Sequence, residues 1–150
     1  MGRQTYIREK DIKASQDTMQ QVLDVLKHLG VIGLKAEHLR YEDCYAPIGW
    51  RLKVNDMPVC LCEIKCRDNT KERYPTYMLS LSRVEDMLEK SRQQKLPLFL
   101  IVHWTNVVGG IELTTVPADI RNGGRYDRGD ARDEEEVCHW PHQEFALLET

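Results

Sequence analysis

Apolar positions early in the chain recur every three or four residues, which predicts an amphipathic helix with one buried stripe. Ser15 is a candidate N-cap for this helix, and Gly30 is a natural stop. The stripe consists of Met19, Val22, Leu23, Leu26 and Leu29.

From Ala36 to Arg67 the hydrophobic period shortens toward two, which is typical of strands. Trp50, Leu52 and Val54 alternate with polar residues, and the sequence from Asn55 to Pro58 favours a turn. The nearly continuous apolar run at 59–66 is typical of a central strand covered on both faces. A hairpin is therefore predicted.

Helical spacing returns between Tyr77 and Gln94, after a polar loop at 68–75. Two further strands are predicted at 98–104 and 111–116, so the order is helix, hairpin, helix, hairpin. Residues 117–136 mix arginine with aspartate and end in three glutamates, which indicates a long charged surface loop. Residues 137–148 favour a last edge strand or a short helix near the end.

The length of 150 residues suits one domain, and 41% hydrophobic with 30% charged residues is typical of soluble globular chains. We expect a flexible arm at 1–14 and a single domain at 15–150. The longest apolar stretch, 96–102, is too short to span a bilayer, and the N-terminus lacks the apolar core of a signal peptide. These features predict a cytoplasmic protein without a membrane partner.

Three of the five cysteines, Cys60, Cys62 and Cys66, are crowded into one apolar strand where they cannot easily pair with one another. This pattern favours a reducing compartment. The two C-x-x-C pairs of structural zinc sites are missing, so buried small side chains are a better interpretation than thiolate ligands.

Glu63 and Lys65 project together from this strand, because alternate residues of a strand share a face. Charges near a core are costly unless they are paired or bind a metal. A carboxylate suits Mg²⁺, and an ammonium group can stabilise a phosphate or orient the attacking water. The alternative is an ordinary Glu and Lys at the exposed end of a strand.

Placed in this order of elements, Glu63-Ile64-Lys65 resembles the E-x-K motif of the PD-(D/E)XK nuclease superfamily. The resemblance covers roughly residues 15–116: the leading helix, the hairpin, the polar loop Cys66-Arg67-Asp68, and the second helix with its following strand. It implies an α/β, restriction-endonuclease-like fold, with a central mixed β-sheet flanked by helices. It also implies Mg²⁺, for which Mn²⁺ can substitute, and DNA as the substrate. A domain of this size would suit a phage nuclease.

The resemblance further implies an acid on the preceding strand that shares the metal with the E-x-K carboxylate. Folding the hairpin about Asn55 and Asp56 sets Gly49, which has no side chain, opposite Glu63. The nearest upstream acid is Asp43, which reaches the site only if residues 46–49 form a bulge or loop. We therefore expect Glu63, Lys65 and Asp43 to be catalytic, with Glu63 and Asp43 as metal ligands. An ordinary exposed loop acid is the alternative for Asp43.

Net charge is −3 and the pI is near 6.0, so any contact with DNA must depend on a local basic patch. Arg67, Lys71 and Arg73 follow the E-x-K strand, and Arg83 lies near the start of the second helix, which in this architecture borders the site. We predict these four residues as nucleic-acid contacts. Solvated surface positions are the alternative for each.

Three functions compete at this point. The leading one is a Mg²⁺-dependent endonuclease acting on DNA. The second, motivated by Gly49, is a catalytically inactive nuclease-fold module that binds DNA or protein. The third is a scaffold subunit whose charged loop at 117–136 contacts a partner. A homodimer is compatible with all three.

Overall fold

The computed structural model describes residues 9–43, 45–124 and 134–148, which form two helices and nine strands. The helices are α1 (Glu9–His28) and α2 (Leu81–Gln94). The strands are β1 (Leu34–His38), β2 (Trp50–Val54), β3 (Met57–Cys66), β4 (Thr76–Ser80), β5 (Leu98–His103), β6 (Val108–Leu113), β7 (Ile120–Gly124), β8 (Glu134–Pro141) and β9 (Ala146–Leu147). Short 3₁₀ turns occupy Leu39–Tyr41, Lys71–Arg73 and His142–Glu144.

Six strands form a central mixed sheet in the order β1-β2-β3-β5-β6-β9. The pair β3–β5 is parallel, and every other neighbouring pair in this sheet is antiparallel. The helix α2 connects the two parallel strands, as a crossover between parallel neighbours requires. The predicted α/β architecture, a central mixed sheet flanked by helices, is confirmed.

Helix α1 covers one face of the central sheet through the predicted apolar stripe. Met19 and Val22 pack with Cys62 and Ile64 of β3 and with Trp50 of β2. This face of β3 is therefore apolar, as the alternation of the sequence predicts.

The opposite face of the central sheet packs against α2 and a second sheet of three strands, ordered β4-β8-β7. Leu61 of β3, Met87 of α2 and Tyr77 of β4 all belong to this larger core and are almost fully buried.

Three predicted boundaries were wrong. Helix α1 begins at Glu9 rather than Ser15, whose hydroxyl instead accepts a hydrogen bond from Trp50 Nε1 at 2.6 Å. Residues 9–14 thus continue the helix, and residues 1–8 of the predicted arm lie outside the described residues.

Residues 77–80 are a strand rather than the start of the second helix. Tyr77 and Leu79 are buried while Met78 is exposed, and this alternation lets β4 pair with β8. Ser80 ends the strand and caps α2, because its hydroxyl accepts a hydrogen bond from the Arg83 N–H at 3.3 Å.

The predicted loop at 117–136 is partly strand, because residues 120–124 pair with residues 134–138. The rest of that prediction, residues 125–133, lies outside the described residues. The second sheet therefore uses a segment whose charges had indicated a loop.

Of the crowded cysteines, Cys62 is buried and Cys60 half-buried, whereas Cys66 at the end of β3 is exposed. Neither α1 nor α2, the helices of the described residues, is long and apolar enough to cross a membrane.

Candidate active site on strand β3

Glu63 lies on the central strand, on the face that α2 and the second sheet cover. It is hydrogen-bonded in register with Leu100 of β5 and is fully buried, with no exposed surface. A buried carboxylate that keeps its charge needs charged or hydrogen-bonding partners around both of its oxygens. The structure supplies these partners from three directions.

The first and closest partner is Arg40, which lies in the 3₁₀ turn after β1. Its Nη1 donates to Glu63 Oε1 at 3.1 Å and its Nη2 to Oε2 at 2.5 Å, which makes a bidentate pair. The two side chains are only 10% and 1% exposed, so water screens this pair weakly. Arg40 also donates to two backbone carbonyls, Ala46 O at 3.0 Å and Pro47 O at 3.1 Å. Its guanidinium is thus held at both ends.

The second partner is the backbone of Gly49, whose N–H donates to Glu63 Oε1 at 3.2 Å. Trp50 pairs with Cys62, so Gly49 is the next residue to lie opposite Glu63. A one-residue shift of register between Leu52 and Lys53 produces this alignment. Gly49 thus lies opposite Glu63 as predicted, but the turn alone does not place it there, because a hairpin folded about Asn55 and Asp56 without this shift would pair Gly49 with Cys62.

Lys65 is the third partner, on the same face as Glu63, with its Nζ 4.0 Å from Glu63 Oε2. The pKa of Lys65 is lowered to about 8, chiefly by burial, with a smaller contribution from neighbouring arginines, while Glu63 acts in the opposite direction. These arginines are Arg83, Arg40 and Arg67. Most of the Lys65 population is still protonated at neutral pH, so this amine is a partly desolvated cation.

Arg67 and Lys71, two of the predicted nucleic-acid contacts, line a cavity of about 320 Å³ beside the site. Arg67 Nη2 donates to the Tyr77 hydroxyl at 2.7 Å, and its guanidinium lies 4.9 Å from the centre of that ring. Lys71 Nζ lies 3.2 Å from Nδ1 of His142. Burial raises the pKa of the Tyr77 hydroxyl, so Tyr77 stays neutral and orients Arg67.

The other two predicted contacts lie on either side of this region. Arg83 is half-buried near the start of α2, where it faces a cleft that also contains Asp86 and Glu135. Arg73 is exposed, and its guanidinium lies 5.2 Å from the ring centre of Tyr74, a residue of the cavity wall. Of the predicted arginines, Arg83 and Arg67 lie near enough to Lys65 to lower its pKa.

Asp43 occupies a different environment. Its Oδ1 accepts a hydrogen bond from the Tyr45 N–H at 2.9 Å, and its side chain lines a shallow cleft with Arg51 and Lys90. Among the described residues, no group of three or more acidic, histidine or cysteine side chains is arranged to hold a metal ion. The predicted role of Asp43 as second ligand has no contact with Glu63 to support it.

The model of the family described as phage putative PDDEXK endonuclease matches residues 1–148. The chain belongs to this family. The predicted resemblance to PD-(D/E)XK nucleases is thus confirmed. Among curated proteins, none matches the chain.

Two solved structures share the fold of this phage endonuclease family member. The Holliday junction resolvase of the archaeal hyperthermophile Archaeoglobus fulgidus is 9% identical, with a TM-score of 0.55 over 89% of this chain and 91% of the other. A nuclease from a fusselovirus is 15% identical, with a TM-score of 0.55 over 97% of this chain and 91% of the other. At these identities the likeness shows a common fold.

Arg40 is the residue of the site that the sequence analysis missed. It lies three positions before Asp43, the acid that the sequence predicted as the second ligand. The signal that could have found Arg40 is the buried charge itself, because a carboxylate on a central strand without a partner acid needs a cation from elsewhere.

Proposed function

We propose that this chain is an endonuclease that hydrolyses phosphodiester bonds of DNA at the site formed by Glu63 and Lys65. The observation that carries the proposal is a fully buried carboxylate with a partly desolvated amine 4.0 Å away, on the central strand of a nuclease-family fold. Ionisable groups perturbed by burial and held close together are typical of reaction centres.

Lys65 is suited to bind a non-bridging oxygen of the scissile phosphate. Its ammonium group has lost part of its hydration, so it interacts more strongly with an anion than an exposed lysine does. Arg67 and Arg83 flank it and can hold phosphates on either side, which positions the backbone without reading its sequence. Glu63 keeps Lys65 charged and fixes the place of its amine.

The Mg²⁺ ion that the sequence predicts, with Mn²⁺ as a substitute, is usually bound by one or two free carboxylates together with phosphate oxygens and water. The described residues do not fit such an ion as they are arranged, because Arg40 engages both Glu63 oxygens and Gly49 has no side chain. Asp43 points into a separate cleft. The steps assigned above therefore use only side chains of the protein.

A second candidate is a nuclease-fold module that binds DNA without cutting it, and the Arg40–Glu63 pair favours this function. Both candidates use the same cationic surface for the phosphates, so both predict DNA binding. They differ in what happens to the DNA, because the endonuclease cuts it and the binding module leaves it intact.

The test is a cleavage assay on plasmid, single-stranded and branched DNA, with Mg²⁺, with Mn²⁺ and with chelator. The endonuclease proposal expects cutting, a loss of about 100- to 1,000-fold in rate for Lys65→Met, and a comparable loss for Glu63→Gln. Matched controls are Lys35→Met on β1 and Glu112→Gln on β6, which alter exposed residues.

No cutting of any substrate by the intact protein would refute the endonuclease and leave the binding module. DNA binding without cutting would then support the second candidate. Pairing of two copies of the chain stays a prediction, and light scattering of the purified protein tests it.

A further inference from the structure

The buried carboxylate of Glu63 needs a positive counter-charge, and two kinds are available to proteins. One is a bound metal ion, and the other is a side-chain cation with matching geometry. A planar guanidinium matches a carboxylate through two parallel hydrogen bonds, which a lysine amine cannot do. At Glu63 the structure contains this second kind, in the form of Arg40.

Arg40 is held beside Glu63 by hydrogen bonds to several parts of the protein. Four of its hydrogen bonds have partners inside the protein: two to Glu63 and one each to the carbonyls of Ala46 and Pro47. The loop at 46–49 therefore accepts hydrogen bonds from the guanidinium through Ala46 and Pro47, and donates one to the carboxylate through the Gly49 N–H.

The glycine at position 49 is what makes room for the guanidinium. A Cβ atom at this position would lie 3.0 Å from Arg40 Nη1 and 3.1 Å from Glu63 Oε1, both tighter than ordinary packing. Any side chain on this residue would therefore compete with Arg40 for one place beside Glu63. An acid at this position therefore requires Arg40 or Glu63 to shift by a few tenths of an ångström.

The electrostatic environment adds to this argument. Arg83, Arg40 and Arg67 all act on Lys65 as like charges, and Glu63 opposes them. A divalent cation placed beside Glu63 would meet the same like charges. A phosphate anion would meet attraction instead.

We infer that Arg40 replaces the divalent cation as the counter-charge of Glu63, so that wild-type protein takes up neither Mg²⁺ nor Mn²⁺ at this carboxylate. Gly49 and Arg40 together then mark a latent metal site, in which the guanidinium stands where an ion and its second carboxylate would stand. The inference rests on the proposed function only in taking Glu63 as the carboxylate of the reaction centre.

The test is Mn²⁺ titration of the folded protein, followed by electron paramagnetic resonance of free Mn²⁺. Wild type and Glu63→Gln are expected to bind Mn²⁺ equally weakly. A single stoichiometric site in wild type that disappears in Glu63→Gln would overturn the inference. This outcome is independent of cleavage, because a chain that never cuts DNA can still bind or fail to bind Mn²⁺.

A double variant, Arg40→Gln with Gly49→Asp, removes the guanidinium and supplies the missing carboxylate. In folded protein, checked by circular dichroism, it is expected to bind Mn²⁺ about tenfold or more tightly than wild type. Adding Glu63→Gln should abolish the gain. A folded double variant without any gain would contradict the latent site.

If the double variant does not fold, Gly49→Asp alone tests whether Arg40 keeps Mn²⁺ away from the carboxylates. This variant keeps Arg40, whose guanidinium can then pair with two carboxylates. It is expected to bind Mn²⁺ no better than wild type, and clear uptake by this variant would overturn the inference.

Discussion

Replacement of Arg40 by methionine tests how much the protein depends on its buried ion pair. The change keeps a long side chain but leaves the Glu63 carboxylate with the Gly49 N–H and the Lys65 amine, 4.0 Å away, as its remaining partners. Breaking a buried pair by removing one member typically costs about 3–5 kcal/mol. In a chain of this length that corresponds to a fall of about 6–20 °C in melting temperature.

Urea unfolding at neutral pH measures this cost, and a second substitution identifies its cause. In the double variant Arg40→Met with Glu63→Gln, the buried site carries no unpaired carboxylate, so most of the lost stability should return. Arg92→Met is the control, because Arg92 also pairs with a glutamate, Glu89, at an N–O distance of 2.7 Å, but this pair lies on the exposed surface of α2. Its stability should equal that of wild type.

Two results would refute this reasoning. A loss below about 1 kcal/mol in Arg40→Met would mean that the pair behaves like an exposed one. A double variant as unstable as the single variant would mean that the loss comes from the contacts of Arg40 with the loop carbonyls, and not from the charge left on Glu63.

Three further predictions concern DNA binding, the pH dependence of stability and the N-cap of α2. Arg67→Gln and Arg83→Gln should each reduce the salt dependence of duplex binding, measured as the slope of log K against log salt, by about 0.9, whereas Arg92→Gln should not. The pKa of His139 is lowered, chiefly by burial, so below the reference value of 6.5 the unfolded chain binds a proton that the folded chain resists. Wild-type stability should therefore fall more steeply than that of His139→Gln as pH decreases from about 7 to about 5 in urea titrations, and equal slopes would contradict this. Ser80→Ala should destabilise the protein by about 1 kcal/mol through loss of the α2 cap, whereas Ser80→Asn, which keeps a capping oxygen, should cost little in the same assay.

The sequence predicted the parts of the site that depend on strand periodicity. Alternation along β3 put Glu63 and Lys65 on one face. The position of the turn brought Gly49 to within one residue of its place opposite Glu63, and the register shift between Leu52 and Lys53 completes the alignment. These relations are local, because a hairpin of known register determines which residues face each other.

The features of the fold and the site that depend on tertiary packing could not be predicted from the periodicity of the sequence. Arg40 reaches Glu63 across 23 positions of sequence, from a turn whose path is set by its bonds to Ala46 and Pro47. Tyr77 to Ser80 also fits a helical spacing, and only pairing with β8 reveals this segment as a strand. Periodicity describes a segment, whereas both of these features belong to the contact between segments.

The two members of the buried ion pair come from parts of the fold with different resistance to local opening. Glu63 lies on β3, which is hydrogen-bonded to neighbours on both sides, so exposure of its backbone requires separation of the central sheet. Arg40 comes from a single 3₁₀ turn outside that sheet. Slow amide exchange is therefore expected on β3 and faster exchange in the turn. The carboxylate can thus lose its arginine partner in a local fluctuation that leaves the nuclease fold intact.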